Sequence, residues 1–209
     1  MQFDGDCRHC ERLAGFLDQI KSEYPDYHAR PVAPFGDPSA RLLIIGLAPG
    51  MHGANATGRP FTGDHAGLLL YETLYQYGFS NQSQATSMHD GLQLFNCRIT
   101  NAVKCLPPQN KPLAREINNC NGFLRQEIEG MAEDSVLLAL GSIAHNAVIK
   151  ALGLRQKTFP FGHAREHDLK PDLKLLDSYH CSRYNTQTKR LTADMFQAVF
   201  ARARALLDG

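Results

Sequence analysis

RLLIIGLAPGMHGANATGRPFTGDHAGLLLYETLYQYG, residues 41–78, contains three kinds of pattern in one run. Arg41–Gly46 (RLLIIG) is short and continuously apolar, as a strand buried on both faces of a parallel sheet would be. The nineteen residues from Gly46 to Asp64 hold five glycines, two prolines and hardly any charge, and they read as a loop with neither helix nor strand. AGLLLYETLYQYG then reads as a helix, with Asp64 as its N-cap and Gly78 as its C-cap. Strand, loop, helix is the unit from which doubly wound α/β proteins are built.

The same unit recurs outward from this run. Cys97–Val103 (CRITNAV) reads as a second strand, and Arg115–Ala132 as a helix after a proline-rich turn. Ser135–Leu140 is a third strand, followed by the helix IAHNAVIKAL with Ser142 as its cap, and Leu173–Tyr179 is another strand. Thr192 is placed to cap the terminal helix ADMFQAVFARARALL. Upstream, Leu13, Phe16, Leu17 and Ile20 fall at helical spacing before Pro25, and Asn81–Gln93 is polar loop. The expected fold is a three-layer α/β/α sandwich around a central, mainly parallel sheet, with residues 1–209 forming one domain. In such sheets ligands bind at the carboxyl ends of the strands, where Gly46–Asp64, Asn101–Lys104 and His180–Asn185 begin.

Composition narrows the function. Apolar residues make up 43% and charged ones 21%, enough for a sizeable core, and the longest apolar runs are too short to cross a bilayer. The 22 Lys and Arg against 21 acidic residues announce no polyanion partner, so nucleic-acid binding must rest on a local patch. The amino terminus lacks the basic and apolar blocks of a secretory signal, which points to an intracellular, reducing, cytoplasmic setting without disulfides. Nothing requires a membrane or an oligomer. Of six cysteines, Cys97 and Cys181 read as small buried residues, whereas Cys7 and Cys10 (C-x2-C), Cys105 and Cys120 make a set able to hold either an iron–sulfur cluster or zinc. Spacing alone does not choose between the two.

Three separated segments, GLAPGMHGANATGRPFTGD, TNAVKCLPPQNKP and SYHCSRYNTQTKRLT, together with those four cysteines, resemble the family 5 (type B) uracil-DNA glycosylases, a branch close to family 4. The resemblance runs from Cys7 to the terminal helix. It implies a doubly wound sandwich with a [4Fe–4S] cluster on Cys7, Cys10, Cys105 and Cys120 in preference to zinc, and hydrolytic removal of uracil from DNA; some members also release hypoxanthine. By position, Gly46, Leu47, Ala48, Pro49 and Gly50 belong to the pocket floor, with Leu47 where family 4 has Glu. Asp64 is the expected water activator, Phe61 stacks on the flipped base, Asn101 bonds its edge, and His180 stabilises charge on the leaving base. Ser182 and Asn185, in the same SYHCSRYNTQTKRLT segment as His180, are expected at the substrate. Two departures stand out: Cys181 follows His180 where Pro is common, and Ala56 precedes Thr57 where Arg is frequent.

Chemistry alone allows blander readings. Asp64 fits an ordinary N-cap, His180 at a strand end can bond a backbone carbonyl, and Phe61 can be core. His52, His145 and His163 have weaker claims to a role. His180 and Cys181, adjacent on extended chain, point to opposite faces and make a poor catalytic dyad. No lysine nucleophile is required, so simple hydrolysis is expected, with Lys104 of TNAVKC the amine near enough to matter otherwise. The rival to a glycosylase is a metal-stapled α/β module that binds DNA or nucleotides without catalysis.

Overall fold

A computed structural model describes residues 3–209. Six strands form one sheet: β1 (Phe35–Gly36), β2 (Leu42–Gly46), β3 (Cys97–Asn101), β4 (Ser135–Leu140), β5 (Glu166–Lys170) and β6 (Leu173–Ser178), in the order β1-β3-β2-β4-β6-β5. The inner four run parallel, while β1 pairs antiparallel with β3 and β5 antiparallel with β6. Among the described residues seven α-helices accompany the sheet: α1 (Glu11–Glu23), α2 (Ala54–Thr57), α3 (His65–Gln76), α4 (Ala114–Glu129), α5 (Ser142–Ala151), α6 (Arg183–Gln187) and α7 (Ala193–Asp208).

Alternation along the inner strands separates two cores. Leu42 and Ile44 of β2 face α3 and α7 through Leu70, Leu74, Phe196 and Phe200, whereas Leu43 and Ile45 face α4 and α5 through Leu124, Ile128, Val148 and Ile149. All five residues of β2 are buried, as its continuous apolar run predicts. A third cluster packs Leu13, Leu17 and Ile20 of α1 on Val103, Leu106 and Phe123, beside the four candidate ligand cysteines. Each fully buried Leu, Ile, Val or Phe contributes roughly 1.5–3 kcal/mol of transfer free energy.

The N-caps at α3 and α7 follow the sequence, whereas Tyr77 holds the C-cap of α3 and Gly78 follows it in the left-handed region. Asp64 accepts from Gly67 N at 2.9 Å and Thr192 from Met195 N at 3.2 Å. Other expectations are corrected. Ser142 is the first residue of α5, Gly141 holds the N-cap, and no side chain caps that end. The Gly46–Asp64 stretch is not helix-free: Ala54–Thr57 closes one turn, α2, ended by Gly58 in the left-handed region. The segment after His180 turns into α6, capped by Ser182 Oγ accepting from Asn185 N at 3.4 Å.

Candidate active site

The carboxyl ends of β2, β3, β4 and β6 open on a cavity of about 520 Å³. Leu47, Ala48, Gly50, Phe61, Asp64, Asn101, His180, Ser182 and Asn185 all line it, so residues far apart in sequence meet where the sheet topology places a ligand.

Close backbone approach explains two of the glycines. A Cβ on Gly46 would stand 2.4 Å from Asn101 Oδ1 and 2.7 Å from Phe61 Cζ, so a larger residue there would displace both. A Cβ on Gly53 would stand 2.7 Å from Asp64 Oδ2, so the loop lies directly over the carboxylate. Phe61 is held at φ 54°, an uncommon conformation for an aromatic residue that costs on the order of 1–3 kcal/mol. Its ring lies 5.9 Å from the His180 ring at 27° between planes, which forms a flat aromatic corner on the cavity.

The polar groups are under-committed. Asn101 is 3% exposed, and its Oδ1 is buried with no hydrogen-bond partner. His180 Nδ1 is likewise buried and unpartnered, and burial lowers the ring's pKa to about 4, so the imidazole is neutral at physiological pH. Burial raises the Asp64 pKa above the usual carboxylate value, against the lowering effect of the Gly67 and Ala66 backbone N–H groups. Unpaired buried polar atoms cost about 1–3 kcal/mol each unless something binds them, which marks them as places for a ligand.

The third segment, SYHCSRYNTQTKRLT, acts partly on itself. Asn185 Nδ2 donates to the His180 carbonyl at 2.8 Å and Ser182 Oγ caps α6, so both hold the loop while lining the cavity. Phe161, Tyr179 and His65 escaped the sequence reading, and they line the cavity with Arg190, a basic residue that flanks the His180 segment and could meet a phosphate. Tyr179 stacks on His163 at 4.9 Å and carries the Arg190 guanidinium 4.6 Å from its ring, and His65 Nε2 meets Thr186 Oγ1 at 3.1 Å. Tyr179, as the neighbour of His180 at a strand end, was findable; Phe161, in an aperiodic loop, gave no signal.

Other candidates fall away from the cavity. Lys104 is 1% exposed with its ammonium on Thr100 Oγ1 and on Glu127 Oε1 at 2.6 Å, so it is no free amine nucleophile. Cys97 and Cys181 are fully buried and their thiols are raised in pKa by burial, as small core residues would be. His52 Nδ1 meets Tyr27 Oη at 2.8 Å. Cys7, Cys10, Cys105 and Cys120 line one narrow cavity with Asn119 and Phe123. Burial, with the other three sulfurs adding repulsion, pushes the Cys105 thiol up to about 12.

An enclosed carboxylate, a free amide and a neutral imidazole around a nucleotide-sized cavity of an α/β/α sandwich define a hydrolase that handles a flat heterocycle. A family model described as the uracil DNA glycosylase superfamily matches residues 33–204, and the chain belongs to that superfamily, on its type-5 branch. It is 43% identical over 205 residues to the type-5 uracil-DNA glycosylase of Thermus thermophilus, covering 96% of this chain and 93% of that protein. It is 39% identical to the type-5 enzyme of Pyrobaculum aerophilum, over 95% of this chain and 88% of that one. The crystal structure of Pedobacter heparinus SMUG2 shares the fold, with a TM-score of 0.53 and 13% identity over 100% of this chain and 94% of that one.

Proposed function

We propose that the chain rotates uracil out of DNA and hydrolyses its N-glycosidic bond, leaving an abasic site, and that it does so as a single chain. The observation that supports this best is the meeting of Asp64, Asn101 and His180 around one cavity, with Asn101 Oδ1 and His180 Nδ1 unpaired. A base within a stacked duplex is out of reach, so it must be extruded at a cost of a few kcal/mol. Stacking on the aromatic corner of Phe61 offsets ~1–3 kcal/mol of that.

As the bond stretches, negative charge gathers on the ring oxygens of uracil and positive charge on C1′. His180, neutral because burial depresses its pKa, donates an N–H to the developing oxyanion, an interaction worth ~3–4 kcal/mol in comparable sites. The Asn101 amide offers a donor and an acceptor to the pyrimidine edge. Asp64 orients water and accepts its proton as the C1′–O bond forms; the C1′–N bond breaks and its electron pair leaves with the base. The engagement of Lys104 by Glu127 favours simple hydrolysis over a Schiff base.

The four cysteines, in this reading, hold a [4Fe–4S] cluster. What supports a shared site is that all four line one narrow cavity and that the other three sulfurs act on the Cys105 thiol; the preference for iron–sulfur over zinc follows the resemblance of the sequence. The cluster would act as a cross-link between the amino-terminal segment, the chain after β3, and α4. Purified protein containing zinc, without iron, sulfide or broad visible absorption, would sink this assignment.

The function is tested by end-labelled oligonucleotides carrying uracil, hypoxanthine or a normal base, treated with alkali, with Asp64→Ala in parallel. Alkali-dependent cutting at uracil, weakened by the substitution, supports the reading, and the hypoxanthine arm ranks the second base. DNA binding without release of any base by metal-loaded protein would favour the non-catalytic module instead.

A further inference from the structure

Behind Phe161 lie three polar side chains with almost no exposure: His145 on α5 and Asp177 on β6 at 0%, and His167 on β5 at 9%. His145 Nδ1 faces Asp177 Oδ1 at 2.7 Å, and its Nε2 faces the Phe159 carbonyl at 2.7 Å. Asp177 Oδ2 accepts from His167 Nε2 at 3.2 Å and from Gly162 N at 3.3 Å. A carbonyl oxygen only accepts, so His145 Nε2 bears a hydrogen. His145 Nδ1 and Asp177 Oδ1 therefore share one hydrogen between them, and the remaining carboxyl oxygen is left to hold Gly162 N and the His167 ring. A zinc ion between His145 and Asp177 would need ligand atoms roughly 3.3 Å apart, so the 2.7 Å contact admits a proton and not a metal.

What this cluster grips is the segment 159–164. Phe161 lines the cavity and rests edge-on against His145 at 5.7 Å between centroids. His163 stacks on Tyr179, and its Nδ1 accepts the Tyr179 N–H at 3.1 Å. Ala164 N donates to the Asp177 carbonyl at 2.8 Å, so the loop is laced to the strand end that continues into Tyr179 and His180.

We propose that His145, Asp177 and His167 form a buried hydrogen-bonded clamp that positions the aromatic wall of the cavity, Phe161 and Tyr179, and through it the backbone that presents His180. The inference rests on the reading of that cavity as the uracil site. None of the three residues lines the cavity, so they act as positioning residues.

Two measurements test the clamp. In wild-type protein labelled with 15N-histidine, the His145 ring carries a hydrogen on Nε2, held by the Phe159 carbonyl; a bare Nε2 overturns the assignment. In excision kinetics, His167→Phe keeps a ring but loses the donor, whereas His167→Gln keeps an N–H donor in a smaller side chain. The clamp requires kcat to fall ~10-fold or more in His167→Phe and Asp177→Asn with KM changed about 2-fold or less, and His167→Gln to stay within about 3-fold of wild type. An active His167→Phe beside an impaired His167→Gln would make the cluster ordinary packing. Should wild-type protein release no uracil, the functional reading falls alone; the histidine spectrum and the Tyr179 ring shifts in His167→Phe still decide, and an unmoved Tyr179 overturns the clamp.

Discussion

A single methyl group at Gly46 would reach Asn101 and Phe61 together, because both side chains rest on that bare backbone. Gly46→Ala is therefore expected to lower kcat/KM for uracil release ~100-fold, as misplacement of a reacting group by about 1 Å does, and to cost about 1–3 kcal/mol of stability. Steady-state kinetics and thermal melting measure the two effects separately. Asp64 combines two jobs that a substitution can divide. Asp64→Asn keeps an oxygen for Gly67 N but removes the base, so excision should fall ~10²–10⁴-fold while α3 stays capped. The folded-state pKa of Asp64 is raised, so its stabilising contribution is full below the unfolded pKa and is lost as pH rises through the folded one. Asp64→Asn should accordingly melt higher than wild type at pH 8 and lose that advantage in acid; equal melting at both ends would contradict the buried charge. In the wild-type pH–rate profile the same carboxylate sets an acid limb above the usual carboxylate range, and His180, neutral down to about pH 4, contributes no limb near pH 6.5.

Between elements, the loop at residues 81–93 is tied to the glycine stretch by one buried ion pair. Arg59, with a side chain 2% exposed, grips Asp90 through two nitrogens, at 2.9 and 2.5 Å, and Asp90 also accepts from Thr86 N, Ser87 N and Leu92 N. The guanidinium holds the Asp90 carboxyl far below its ordinary pKa, so this contribution persists until strong acid and is lost as pH falls through that low value. Asp90→Ala would strand a buried cation at a cost of about 3–5 kcal/mol, which denaturant titration would register as a shifted midpoint. No local pattern announces this pair, because its members are 31 residues apart. The elements that were legible, such as α3 and β2, are those where periodicity, cap and burial agree. β5 was missed because only His167 and Leu169 of EHDLK point inward, and α2 because four residues, ANAT, make no period. At the site, Asp64, Asn101 and His180 were legible through motif resemblance, whereas Phe161 depends on packing that no local segment encodes.

At the scale of the whole molecule, the cysteine cluster is proposed as a tie between the amino-terminal segment and the rest, added to the packing of Leu13, Leu17 and Ile20 and to the ion pair of Arg12 on α1 with Glu116 on α4 at 2.7 and 2.8 Å. Stripping the metal by oxidation and chelation should lower the melting temperature and expose α1 to protease before the α3 and α7 side of the sheet opens. Protease resistance unchanged after complete loss of iron would assign α1 its stability from packing. The alternation of strands and helices was readable along the chain, but the two antiparallel margins were not, and those margins have a consequence in crowded solution. β1 offers two residues, and β5 turns Asp168 and Lys170 outward, with Lys174 on Asp168 and Arg202 on Glu166. A parallel sheet ending in bare apolar strands would be a template for its own copies. Here each rim is too short or too charged for a second chain to add a strand, so the fold guards against fibre growth by the same two elements that no hydrophobic pattern revealed.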